Sequence, residues 1–205
     1  MSKAAELAAL IANVNRGSSL GSKNLVINGN MSVSQRGTES TGITASGHRN
    51  APDRFRPSIG TAGTWTISQS TDVPTGYGFS NSYKFDCTTA DASLAVGDDM
   101  ALQYRFEGKD VQMLKKGTSS AVPVTVSFWV KSTKTGTFIL ELMDNDNARE
   151  ISKSYTVSSS NTWEYKTVTF EGDTTGVLDD DKERSLTLQW WLAAGTNWTS
   201  GTLNT

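Results

Sequence analysis

Hydrophobic residues recur with one period at the start of the chain and with another everywhere else. Across residues 3–15, Ala4, Leu7, Ile11 and Val14 follow spacings of three, four and three. They therefore share one stripe of a helix, as a and d positions, with Ala, Glu and Asn on the opposite face. Ser2 supplies a cap. A helix this short barely holds together alone in water, so the stripe needs a partner: the body of its own chain, further copies of itself, or a groove in another protein. The segment Arg16-Gly17-Ser18-Ser19-Leu20-Gly21-Ser22 has the composition of a flexible linker.

From residue 23 the period is two. Leu25 and Ile27 alternate with Val26 and Asn28, Asn28-Gly29 is a tight-turn dipeptide, and Met31, Val33 and Gln35 resume the alternation. This predicts an entry strand, or two short strands joined at a corner. Trp65 and Ile67 form the apolar side of a further strand, followed by Tyr83, Phe85 and Cys87, then by Leu102, Tyr104 and Phe106. Val122 to Val130 places Val124, Val126, Phe128 and Val130 on one face, and Trp129 stands out on the polar one. After the Lys134-Thr135-Gly136 turn, Phe138, Leu140 and Leu142 form a strand that the Asp144-Asn145-Asp146-Asn147 loop closes into a hairpin with Ile151 to Val157. Trp163 to Phe170 and Arg184 to Leu192 complete about ten β segments. Many short strands with polar turns and no second helical pattern predict an all-β sandwich or barrel.

Composition narrows the function classes. The chain has 205 residues, which suits one large sandwich plus an appendage. Nineteen Lys and Arg against twenty-one Asp and Glu give a formal charge of −2, and the longest basic run is Lys115-Lys116. A general nucleic-acid surface is not expected from this balance. Cys87 is the single cysteine, which excludes an intrachain disulfide and a cysteine-based zinc site. Its alternation with Phe85 and Tyr83 predicts a buried, inert thiol. No charged leader precedes an apolar stretch, and no apolar run approaches the roughly 20 residues of a bilayer span. Folding in a cytoplasm without membrane insertion is the expectation.

The entry segment also carries a family resemblance. NLVINGNMSVSQRGT (residues 24–38), followed by Asp53-Arg54-Phe55, resembles the opening of a jelly-roll module in tail-fibre and other virion structural proteins of tailed bacteriophages, especially marine ones. TISQSTDVPTGYGFSNSYKF (66–85), QYRFEGKDVQML (103–114), VTVSFWVKSTKTGTF (124–138) and NTWEYKTVTFEGDTTG (161–176) extend the likeness over nearly the whole β region. The last two also resemble core strands of jelly-roll carbohydrate-binding modules. The resemblance implies a helical leader that attaches to the virion and a jelly-roll β-sandwich that faces outward, hence a segment 1–22 for attachment and a domain 23–205. Family members continue past a stretch such as LAAGTNWTSG with a closing strand. The end at Thr205 therefore points either to a piece of a longer protein or to a strand supplied by a neighbour.

Candidate chemistry is sparse. His48, the one histidine, falls in a loop, and no Ser-His-Asp or Cys-His arrangement follows from spacing. Asp98, Asp99, Glu107, Glu141 and Glu164 are available as carboxylate pairs for glycoside hydrolysis, a question of three-dimensional separation. Asp144 and Asp146 are candidate ligands for a structural calcium, as are Asp179, Asp180 and Asp181 more remotely, and neither group has EF-hand spacing. No other cofactor is expected. Tyr77, Trp129, Trp191 and Trp198 are the candidates for stacking against the apolar faces of sugars, since each lies out of phase with the core or in a polar loop. Trp65, Trp163 and Trp190 are expected in the core or at strand ends.

These readings predict a virion structural protein without enzymatic activity. It is made in the host cytoplasm, attached to other virion proteins through Ala4, Leu7, Ile11 and Val14, and assembled as a homo-oligomer, by analogy with fibres a trimer. Its outward domain would recognise a host-surface glycan. An architectural decoration of head or tail, and a polysaccharide depolymerase, are the alternatives.

Overall fold

The computed structural model describes residues 24–203, so the expected helix with Ala4, Leu7, Ile11 and Val14, and the linker behind it, lie outside the described residues. Within them the chain is all-β. Nine strands follow one another: β1 (Glu39–Ala45), β2 (Phe55–Ser70), β3 (Ser82–Thr89), β4 (Asp99–Glu107), β5 (Val124–Val130), β6 (Gly136–Asp144), β7 (Arg149–Val157), β8 (Glu164–Phe170) and β9 (Arg184–Ala194). A single-turn helix, α1 (Gly108–Val111), follows β4. All strand pairs are antiparallel.

The seven-stranded sheet runs β1-β2-β4-β9-β6-β7, with β3 also on β2, and β5 pairs with β8 in a second sheet. Period-two alternation explains their packing. Leu102, Tyr104 and Phe106 of β4, Leu186, Leu188 and Trp190 of β9, and Phe138, Leu140 and Leu142 of β6 point to one side. Against them lie Val124, Val126, Phe128 and Val130 of β5 with Val168 and Phe170 of β8. Phe128 meets Tyr155 and Trp190 edge-on, with ring centroids 5.0 and 5.7 Å apart.

The sheet forks at β2. Its first half, Phe55 to Thr61, pairs with β4, and its second half, Thr64 to Ser70, pairs with β3. The switch falls where Thr61 and Gly63 adopt left-handed φ of 58° and 84°. A Cβ on Gly63 would stand 2.6 Å from the Thr89 carbonyl oxygen, so the backbones approach there as glycine permits.

Two sequence expectations are corrected. The segment from residue 24 to Gly37 is a looped corner, not an entry strand. Asn28, at φ 61°, donates its side-chain amide to the Val33 and Asp53 carbonyls and accepts from the Val33 N–H. These local bonds compete with ladder pairing and win. They also explain why the motif and Asp53-Arg54-Phe55 belong together: the Gln35 N–H donates to the Asp53 carboxylate, and the Asp53 N–H to the Val33 carbonyl. Second, Cys87 is exposed. The alternation assigned its face correctly, but β3 runs past the end of the core.

Candidate functional site

The outer face of the β5–β8 sheet carries the best-formed aromatic site. Register places Trp129 opposite Tyr165, Ser127 opposite Thr167 and Thr125 opposite Thr169. Alternation turns all six away from the core. The hydroxyls of Thr125 and Thr169 are 2.9 Å apart, and those of Ser127 and Thr167 3.4 Å. This row ends in the rings of Trp129 and Tyr165, with centroids 5.4 Å apart.

Tyr77 reaches the same place from a loop. Its ring centroid lies 4.3 Å from that of Trp129, and Tyr77 and Tyr165 are 62% and 55% exposed. The presentation has a local cause. Gly76 and Gly78 flank Tyr77 at φ 87° and 76°, a region open to glycine and strained for other residues. Asp72 fastens the base of the loop: one carboxylate oxygen accepts from Trp163 Nε1 at 2.9 Å and the other pairs with Lys131 at 2.6 Å. Those bonds from Lys131, then Trp163, hold the Asp72 carboxyl below its ordinary range. Successive rings are tilted by 51° and 53°, so the three form a faceted strip and not one plane. Hydroxyls and a lysine–carboxylate pair flank it.

Trp191 and Trp198 make a separate pair, 5.9 Å apart, on the opposite face of the molecule, since Trp191 alternates with the core-facing Trp190. Trp191 Nε1 donates to Glu141 at 3.1 Å, and Trp198 Nε1 to the Gly97 carbonyl. Glu141 is buried and ends a directed relay. Arg105 donates to Gln103, Gln103 to Gln189 at 2.9 Å, and Gln189 to Glu141 at 2.5 Å. Ser152 donates to its other oxygen. Burial raises the Glu141 carboxyl above its ordinary range against these donors, and the nearby Glu150 adds to the rise.

The four aromatic candidates thus form two pairs on opposite faces. Tyr165 was missed by sequence reasoning, although it sits out of phase with Val168 and Phe170 just as Trp129 does with its neighbours. The remaining carboxylates are occupied differently. Asp98 accepts from Thr61 and the Ala95 N–H, and Glu164 from the Ser158 and Ser159 N–H groups and Lys166. The calcium expectation meets an ammonium: Lys116 Nζ lies 2.5 Å from Asp144, while Asp146 accepts from the Asp179 N–H. Among the described residues no group of three His, Cys, Asp or Glu side chains gathers where a metal ion could be held, and the Asp144 carboxylate is paired with Lys116.

No family model and no curated protein matches the chain. Among solved structures it is similar to the enzymatically active domain of tailspike protein 4 of bacteriophage CBA120, at 16% identity and a TM-score of 0.44, over 82% of this chain and 19% of that one. The chain therefore spans about a fifth of the tailspike chain's length. That likeness transfers no residue roles, but the similar domain is an enzymatically active one. The expectation that this chain lacks enzymatic activity is corrected accordingly and is not retained. No helix among the described residues is long and apolar enough to cross a membrane.

Proposed function

We propose that this chain is a virion appendage protein of a tailed bacteriophage that engages surface polysaccharide through a jelly-roll-type sandwich. The observation that carries the reading is the exposed strip Tyr77, Trp129 and Tyr165. Three rings in contact leave two of their members more than half exposed, although a monomeric fold gains by covering such surface. Sugars supply the matching chemistry: apolar C–H faces for the rings, and hydroxyls for Ser127, Thr167, Lys131 and Asp72. The resemblance of residues 24–38 and 53–55 to phage virion modules supports the setting. The leader stripe Ala4, Leu7, Ile11 and Val14 is the proposed attachment to other virion proteins, and a trimer the proposed assembly.

The test is a glycan screen followed by titration of the best ligand against Trp129→Ala. Loss of one stacking ring is expected to weaken binding by about 1–3 kcal/mol, roughly 5- to 150-fold. Unchanged affinity in a folded variant would remove the strip from the site.

A second reading, polysaccharide cleavage, is favoured by Glu141. A buried carboxyl with a raised pKa suits a general acid, Glu150 lies near enough to raise it further, and Trp191 with Trp198 adjoins it. Release of reducing ends from surface polysaccharide, abolished in Glu141→Gln, would support this reading. Equal release by the variant would exclude Glu141 as its acid.

A further inference from the structure

The corner motif, β2 and β4 enclose a cleft of about 550 Å³. Arg36, Arg54, Arg56, Arg105, Lys182 and Arg184 line it, against two carboxylates, Asp53 and Glu107. None of the six cations forms an ion pair among the described residues. Arg56 and Arg105 lie half-buried in the floor, and the Nε of each is shielded from solvent with no acceptor. Buried guanidinium N–H groups are normally bonded, and these two residues, each with an unbonded Nε, line the same crevice with four further cations, a lining that calls for an oxyanion. The cations also oppose one another. Burial first, then Arg56 and Arg184, push Arg105 down to about 10, and burial, Arg36, Arg56 and Arg105 lower His48 at the rim.

This concentration of positive charge stands out in a chain whose net charge is −2. A planar guanidinium fork matches carboxylate and phosphate oxygens in pairs. The volume is that of a small-ligand site, and Asn28 and Gln35 in the wall supply hydrogen-bonding groups for neutral hydroxyls. Nucleic acid fits less well. The cleft's one Phe, Tyr or Trp is Phe106, whose ring is buried in the core, whereas single strands are held by several stacking rings along a basic groove.

We propose that this cleft is an anion site for an acidic saccharide, with Arg56 and Arg105 taking the carboxylate or phosphate group of a charged sugar. The proposal shares with the preceding section the premise that the ligand is a glycan, but it uses other residues, so each can fail alone. The experiment is titration of the full chain with trigalacturonate, with its neutral trisaccharide counterpart, with inorganic phosphate and with a short oligothymidylate, all at one ionic strength.

Saturable binding of trigalacturonate, weaker binding of phosphate and none of the neutral sugar at this cleft are expected. Arg56→Gln and Arg105→Gln should each weaken trigalacturonate by about 10- to 100-fold. Arg56→Gln should melt no lower than the parent without ligand, because it removes a like charge, whereas Arg105→Gln also takes a donor from the buried Gln103 and is read by its affinity in the folded protein. Lys84→Gln, which removes a cation of β3 that lies outside the cleft lining, should leave trigalacturonate affinity within about two-fold. Absence of saturable binding by both trigalacturonate and phosphate would overturn the proposal. So would equal affinity in both arginine variants, or tighter binding of the oligothymidylate.

Discussion

Replacing Lys116 by Met tests how the long acidic loop after β8 is held. Lys116 Nζ lies 2.5 Å from Asp144, 3.0 Å from Asp173 and 2.9 Å from each of the Thr175 and Gly176 carbonyl oxygens. The Lys116 and Asp144 side chains are 9% and 4% exposed. The methionine keeps the volume and removes the charge. Asp144 would retain the Asp146 and Asn147 N–H donors on one oxygen but lose the cation on the other. Breaking a buried pair from one side costs about 3–5 kcal/mol, which for a chain of this size lowers Tm by roughly 6–20 °C. Thermal and urea melts measure it, and Lys116→Met with Asp144→Asn should cost less than the sum of the singles. The acid limb offers a second readout. Burial opposes ionisation of Asp173, yet the Thr175 N–H and Lys116 outweigh it and leave its pKa lowered. Its stabilisation is therefore present above the unfolded carboxyl pKa and fades as pH falls through the lower folded value. That fade should shrink in the variant. Added calcium should leave the parent's Tm unchanged, because the ammonium already sits among those oxygens. A loss below about 1 kcal/mol, well short of what breaking a buried pair costs, would refute the reasoning.

Two further outcomes follow from local geometry. Cys87, exposed on β3, should react with a thiol reagent in the native protein at nearly the rate of the unfolded chain; reaction confined to denaturing conditions would restore the buried reading. Gly108→Ala places a Cβ 1.9 Å from the Asp179 carbonyl oxygen and 2.8 Å from Ser185 Oγ, and should destabilise by about 1–3 kcal/mol in urea melts. An unchanged midpoint would mean that the loop yields freely there.

What the sequence revealed depended on how far each strand is enclosed. β5 to β9 were legible because their apolar faces are long, regular and bounded by turn residues; the β6–β7 hairpin appears with the expected ends. β1 was not, since Glu39-Ser40-Thr41-Gly42-Ile43-Thr44-Ala45 offers one large apolar side chain and is a strand because β2 pairs with it. The first half of β2 hid behind Pro57 and Gly60, which ordinarily argue against a strand. The corner failed for the opposite reason: its alternation was convincing, but Asn28 bonds locally. In the site, the phase of Trp129 and the polar loop of Tyr77 exposed two rings, while Tyr165 and the convergence of all three depended on register across β8 and on a loop closed by Asp72. Arg56 and Arg105 are ordinary outward positions in the sequence. Their convergence with Arg36 and Arg184 arises because β2 and β4 pair and the corner folds over them.

The two faces of the sandwich therefore carry different chemistry for a topological reason. β5 and β8 form a narrow sheet whose outward positions are Thr, Ser, Tyr and Trp, which stack and hydrogen-bond without net charge. The outward positions of β2, β4, β9 and β6 include Arg56, Arg105, Gln103, Gln189 and Glu141, with Arg105 joined to Glu141 by side-chain amides. Packed sheets stand about 10 Å apart, and each face adds its own side chains. A short oligosaccharide therefore cannot touch Trp129 and Arg105 together. A single ligand could engage both only as a polymer that passes around an edge of the sandwich. A neutral short glycan is expected on the aromatic strip and an acidic one in the cleft, so a polysaccharide with alternating neutral and acidic residues is the ligand for which both faces would count at once.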